Sequence, residues 1–388
     1  MDSELMLVES RSGSLDGEAL SRSVHVLGGR VVAHLPGFER ALVRGPRGFI
    51  RRLERLLPSL RVRTQPVESS EIGLYQDESL TALQAWNVFS SAKDVAVGEP
   101  EPEDGFGQDL IIPLPWWDQP AAPMMMSSSQ PSSQSSGLRP AGATWENTSE
   151  FLAGNVSINM MLLESNGAVD ASTENWTQVL ESQVLAEALQ AISGIESMYP
   201  GTELTFTLHL LSGRTDERLQ TSYEPILRPA DTAGVSGEEL WALEVLSQLG
   251  YGLGGRMTRS RLFADETRVA DGTDWAVNVF VVNSTLDTDG RFADGYFAYT
   301  YLGGPHVVLT SDNDGWGLSR FDAVLRHELH HAFFALDEYA TSSCSCSTAS
   351  GYLGGSNDNC ENGCGVIDAC VMRNNVVDHC LATDTQVG

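Results

Sequence analysis

The sequence predicts an α/β (α+β) fold in which a twisted mixed sheet backed by helices leads into one functional helix and a cysteine-rich C-terminal subdomain. Three observations predict it. Between residues 154 and 310, stretches that alternate apolar and polar residues are separated by stretches with helical apolar spacing. The run Arg326 to Tyr339, RHELHHAFFALDEY, carries HExxH within a segment of helical periodicity. All six cysteines, Cys344, Cys346, Cys360, Cys364, Cys370 and Cys380, fall in the last 45 of the 388 residues.

Residues 1–75 read as a small basic unit. Ser23 to Leu35 and Leu60 to Arg63 are strand-like, and Phe49 to Leu57 is basic and amphipathic. Residues 1–66 hold 11 arginines against 7 acids, whereas the remainder holds 13 basic against 45 acidic residues. The two parts are electrostatically complementary, so the first reads as a propeptide-like arm or an accessory domain docked on the rest. The formal charge of −28 argues against nucleic acid as a partner, because a phosphate backbone needs a basic surface.

Residues 76–145 read as a flexible linker, from the Gly-, Pro- and Glu-rich run at 98–105 to the Met- and Ser-rich run at 124–131. Within it, Trp116 and Trp117 between prolines read as a patch that docks on the main domain.

Ordered patterning then runs through residues 146–388. Val156, Ile158, Met160 and Leu162 alternate as a strand, Leu185, Leu189, Ile192 and Ile195 mark a helix, and Leu204, Phe206, Leu208 and Leu210 alternate again. A helix from Ser236 to Leu249, with a capping box of Ser236 and Glu239, precedes a short helix near Arg261 to Val269. Strands follow at Trp275 to Val282, Tyr296 to Leu302 and His306 to Thr310. Asp287, Asp289 and Asp294 in one loop, and Asp312 and Asp314 in another, could bind calcium or simply be solvated acidic turns, since neither completes an EF-hand pattern. No apolar run is long enough to span a membrane.

In the next helix Ser319 and Asp322 read as a capping box, and Phe321, Leu325, Leu329, Ala332, Phe333 and Leu336 form the core stripe. His327 and His331, four residues apart, lie on one helical face and can converge on one zinc ion, with Glu328 beside them as a base. A third ligand must come from beyond the helix. The offset offers Asp337 and, one residue on, Glu338.

On these residues the chain resembles the metzincin clan of zinc metalloproteases, whose motif HExxHxxGxxH/D returns a third ligand six residues after the second histidine. Ala369 to Asn374 resembles the clan's methionine turn, with Met372 as its methionine. Leu336-Asp337-Glu338-Tyr339 is similar to the secreted bacterial IgA-peptidase type. The resemblance implies a metzincin-like zincin fold, one catalytic zinc held by His327, His331 and Asp337, Glu328 as catalytic base, and a polypeptide substrate paired along the sheet edge, for which Tyr296 to Leu302 is the candidate. Tyr339 is then a candidate for oxyanion contact or for a helix cap. Phe334 stands where the clan has a glycine that tolerates positive φ, so the helix is expected to end differently here.

The clustered cysteines predict three disulfides of open pairing, with a four-cysteine zinc site at Cys344, Cys346, Cys360 and Cys364 as the alternative. Disulfides and the resemblance together imply a secreted protein, although Met1 to Ser10 shows no signal peptide and the chain stops at Gly388 soon after Met372, so both ends read as incomplete. No cysteine precedes Cys344, which excludes latency through a propeptide thiolate. The reading from another class is an extracellular binding or adhesion module with a vestigial or structural zinc site. Glu328 separates the two, because a structural site needs no base beside the metal. Oligomeric state and substrate specificity are not legible.

Overall fold

The computed structural model describes residues 3–12, 14–46, 48–72, 75, 77–92, 110–112, 138–228, 237–313, 316–365 and 367–388. The chain begins with β1 (Ser3–Ser10), α1 (Gly17–Val26), β2 (Arg30–Leu35), β3 (Arg40–Pro46), α2 (Phe49–Leu56), β4 (Leu60–Arg63), α3 (Ser69–Ile72) and α4 (Asp77–Ala92). Next come β5 (Leu110–Ile112), β6 (Asn155–Ser165), α5 (Gln178–Met198), β7 (Thr205–Ser212), β8 (Gln220–Thr221), α6 (Gly237–Gln248), α7 (Arg256–Asp271), β9 (Trp275–Val282), β10 (Ala298–Tyr301) and β11 (His306–Thr310). The last elements are α8 (Phe321–Ala332), a β12–β13 ribbon (Ala349–Ser350 and Gly355–Ser356), α9 (Val371–Asn374) and α10 (Leu381–Val387).

Ten strands form one mixed sheet in the order β4-β1-β3-β2-β7-β6-β9-β11-β10-β5, with β8 pairing β6 off this path. The centre, β2, β7, β6, β9 and β11, is parallel; β4, β1 and β3 are antiparallel, as is β10 against β11. A parallel strand is covered on both faces, and β6 is buried from Val156 to Leu163, the polar Ser157 and Asn159 included. Val156, Ile158, Met160 and Leu162 pack with α5 and α8, while Met161 and Leu163 pack with Trp241, Val245 and Met257 of α6 and α7. The helix α5 runs on from a capped start, where Thr177 accepts a hydrogen bond from the Leu180 amide.

The N-terminal unit is continuous with this sheet. Its β2 pairs in parallel with β7, and Arg30 and Arg44 both meet the buried carboxylate of Glu196 on α5. The attachment combines backbone pairing with ion pairs from two partly exposed arginines to one buried carboxylate. Two strands, β1 and β3, fall in stretches with no predicted element, and Ser23 to Val26 belongs to α1 instead of a strand.

Of the predicted linker at 76–145, residues 77–92 form α4. Leu83, Trp86 and Phe89 of α4 lie in the main core, and Ser182 of α5 donates to Gln84. This part is a buried amphipathic helix and no tether. The runs at 98–105 and 124–131, Trp116 with Trp117, and Ser236 of the predicted capping box lie outside the described residues. Among the described residues, no helix is long and apolar enough to cross a membrane.

Candidate metal centre

The helix α8 is buried along its whole length between the sheet and the C-terminal subdomain. Its start differs from expectation: a 3-10 turn, Leu318–Arg320, takes up Ser319, Arg320 is the cap, and no side chain caps the helix. Asp322 instead accepts a hydrogen bond from Arg326 one turn on, at 3.2 Å.

Both motif histidines are locked by backbone carbonyls. His327 Nδ1 donates to Val371 O at 3.0 Å, and His331 Nδ1 donates to Ala335 O at 2.7 Å. Holding the proton on Nδ1 turns each Nε2 lone pair into the site, which is how a carbonyl orients a metal-binding imidazole. Each Nε2 lies 3.1 Å from Asp337 Oδ1. For His327 that contact has hydrogen-bond geometry, whereas His331 Nε2 is buried and misaligned, with no hydrogen-bond partner among the described residues.

Asp337 reaches the site because the chain reverses at Phe334, which has φ +73°. The expectation that a bulky aromatic forbids this turn is overturned. The left-handed conformation costs a non-glycine residue about 1–2 kcal/mol, and tertiary contacts offset it here. The Phe334 ring fills the space over Gly303, where a Cβ would overlap it. Gly303 N also donates to His331 O at 3.0 Å, so the glycine of this corner sits on the neighbouring loop, opposite the aromatic.

Glu328 is fully buried beside the same two histidines. Thr300 Oγ1, on β10, donates to Glu328 Oε2 at 2.5 Å, while Oε1 is buried with no hydrogen-bond partner among the described residues. Burial raises the Glu328 pKa, against the pull of His331 and His327. Asp337 is held near about 2, since the two histidines overcome its burial. His331 is pushed up to about 9 although burial opposes it, because Asp337 and Glu328 face it. In the metal-free chain a proton thus supplies the positive charge that this donor set demands.

The neighbouring residues separate cleanly. His330 faces away: its Nδ1 donates to Arg326 O, its Nε2 meets Tyr199 Oη at 3.0 Å, and burial lowers its pKa to about 3. Glu338 turns from the histidines to Cys370 and Cys380. Met372 is fully buried in α9 beneath the helix, and its carbonyl accepts from the Glu338 amide at 3.0 Å. The Tyr339 carbonyl closes the following 3-10 turn, and its ring centroid is 6.4 Å from that of His327. Asp287, Asp289 and Asp294 accept from amides of their own loop, and Asp314 lies outside the described residues.

Thr300, Gly303 and the carbonyls of Val371 and Ala335 escaped the sequence. Only Val371, next to Met372, had a signal that could have marked it.

The donor set fits zinc: two imidazoles and a carboxylate, within 4.8 Å of one another, with His331 Nε2 and Glu328 Oε1 both lacking a hydrogen-bond partner among the described residues. Cys344 bonds Cys360 and Cys346 bonds Cys364, which removes the four-cysteine zinc alternative. Cys370 and Cys380 are buried thiols, so a third disulfide is absent. Cys380 Sγ accepts from Thr383 N at the start of α10, and its thiol donates to Glu338.

Comparison of the chain with protein-family models, with curated proteins and with solved structures finds no match.

Proposed function

We propose that this chain is a secreted zinc-dependent endopeptidase of metzincin-like design. The observation that carries the reading is the convergence of His327 Nε2, His331 Nε2 and Asp337 Oδ1 beside Glu328, whose Oε1 has no hydrogen-bond partner among the described residues. Bound by these three groups, zinc would supply Lewis acidity, polarising a substrate carbonyl and acidifying a water. Glu328 is held by Thr300 through one oxygen and keeps the other for a proton, which it takes from the attacking water and returns to the leaving amine. The carbonyls of Val371 and Ala335 hold the imidazoles in the ligating tautomer throughout. The two disulfides are compatible with an oxidising destination.

The substrate class is polypeptide, gripped as an extended chain along β10. In this structure Leu110–Ile112 already pairs in parallel with that edge, and Ile111 lies opposite Thr300. A substrate has first to displace it.

A binding module with a structural zinc has no use for a proton acceptor beside the metal. The test is Glu328→Gln, which keeps the shape and removes the base. Zinc content should be unchanged, while hydrolysis of a denatured protein substrate falls by about 10²–10⁴-fold. Retained hydrolysis overturns the role of Glu328, and a zinc-loaded wild type that cleaves nothing favours the binding module.

A further inference from the structure

Directly behind the histidine site, the structure assigns a second metal site, formed by Glu338, Cys370 and Cys380, that takes a thiophilic divalent cation of the zinc class. The donor atoms of all three lie within 4.8 Å of one another and are buried. Cys380 Sγ is 2.9 Å from Glu338 Oε1, and Thr383 Oγ1 is 3.0 Å from both Cys370 Sγ and Glu338 Oε1. These side chains come from three separate segments: the extended run after α8, the start of α9 and the start of α10.

Two further observations favour a cation here. Glu338 is a fully buried carboxylate whose side chain accepts from Cys380, Thr383 and Asn359, with no arginine, lysine or histidine bound to it among the described residues. A buried carboxylate is ordinarily paired with a cation or ligates one. The two thiols also stay unbonded in a subdomain whose other four cysteines are all paired. Thiolates with one carboxylate select zinc-like ions over calcium or magnesium, and a closed, buried donor set is that of a structural site. Binding displaces the two thiol protons, which leave to solvent, and no electron is transferred.

Such an ion ties three pieces of chain behind the first site. Glu338 follows Asp337, and its amide is already bonded to the Met372 carbonyl. The loop that delivers the third ligand is thereby pinned to the turn that holds His327.

The test is metal content of the full chain purified without reductant, so that the two disulfides stay intact, and loaded with Zn²⁺ or Co²⁺ alone. Wild type should bind about two ions, and the cobalt form should show thiolate-to-metal charge-transfer absorption. Cys370→Ser with Cys380→Ser should bind about one ion and lose that absorption. His327→Ala with His331→Ala should also bind about one ion but keep the absorption, which makes the result independent of any peptidase activity. A wild type with no charge-transfer band, or one whose intact mass shows a third disulfide, overturns the proposal.

Discussion

Asp337 and Glu338 are neighbours in the chain, and each closes a buried three-donor cluster, but the two clusters differ in how their polar atoms are satisfied. Around Asp337, His331 Nε2 and Glu328 Oε1 have no hydrogen-bond partner among the described residues, and the facing charges raise the His331 pKa and lower that of Asp337. Around Glu338, each carboxylate oxygen already accepts from a thiol, a hydroxyl or an amide. Buried polar atoms without hydrogen bonds leave valences open for a ligand, while a satisfied cluster can serve to hold. On the proposed function, this difference suits the histidine site for chemistry and the thiol site for anchoring.

The sharpest way to break this comparison is to remove the two carboxylates one at a time. Asp337→Ala should lower zinc affinity at the histidine site by about 100-fold or more, since a ligand is lost, whereas Glu338→Ala should lower it by about tenfold, as loss of a supporting group does. Competition with a chelator measures both. The reverse order would exchange their roles.

Gly303→Ala attacks only the first cluster. A Cβ there overlaps the Phe334 ring at a position of positive φ, so the corner that returns Asp337 has to shift. Stability should fall by about 1–3 kcal/mol in denaturant unfolding, with zinc affinity at the histidine site falling alongside. Unchanged stability would mean that the corner is soft. Ile111→Pro should act on access alone, raising the peptidase rate severalfold by weakening the strand beside β10 and leaving both metal contents unchanged. An unchanged rate would show that this strand is no barrier.

The smallest effect is on pH. In the metal-free chain, His331 is raised to about 9 from 6.5, so its share of stability is full below 6.5 and is lost as pH rises through about 9. Asp337, lowered from 3.8 to about 2, contributes stability above 3.8 that is lost as pH falls through about 2. Metal-free protein should therefore melt at falling temperature from pH 6.5 to 9, and zinc should flatten that slope. A parallel fall with and without zinc would separate the titration from the site.

What the sequence made legible follows the range of the interactions. The histidine site rests on residues 327, 328, 331 and 337, whose spacing is set by one helix and one reversal, so a short pattern carries it. The central strands β9 and β11 coincide with their predicted bounds because a strand buried on both faces writes a continuous apolar run. The second cluster draws on residues 338, 370 and 380, which only the folded chain brings together, and nothing in their spacing marks it. Phe334 misled for a related reason: propensity priced the backbone conformation correctly, but the compensating space over Gly303 belongs to another loop. The helix Asp77–Ala92 was masked by the low-complexity runs that follow it, and charge imbalance could not show that β2 joins the central sheet.

The most direct test of the central claim is an anomalous difference map collected at the zinc absorption edge from crystals of the purified chain. The account predicts a peak in bonding contact with His327 Nε2, His331 Nε2 and Asp337 Oδ1, with Glu328 beside it and outside the ligand set. A map with no peak there, or one in which Glu338 replaces Asp337, would contradict it.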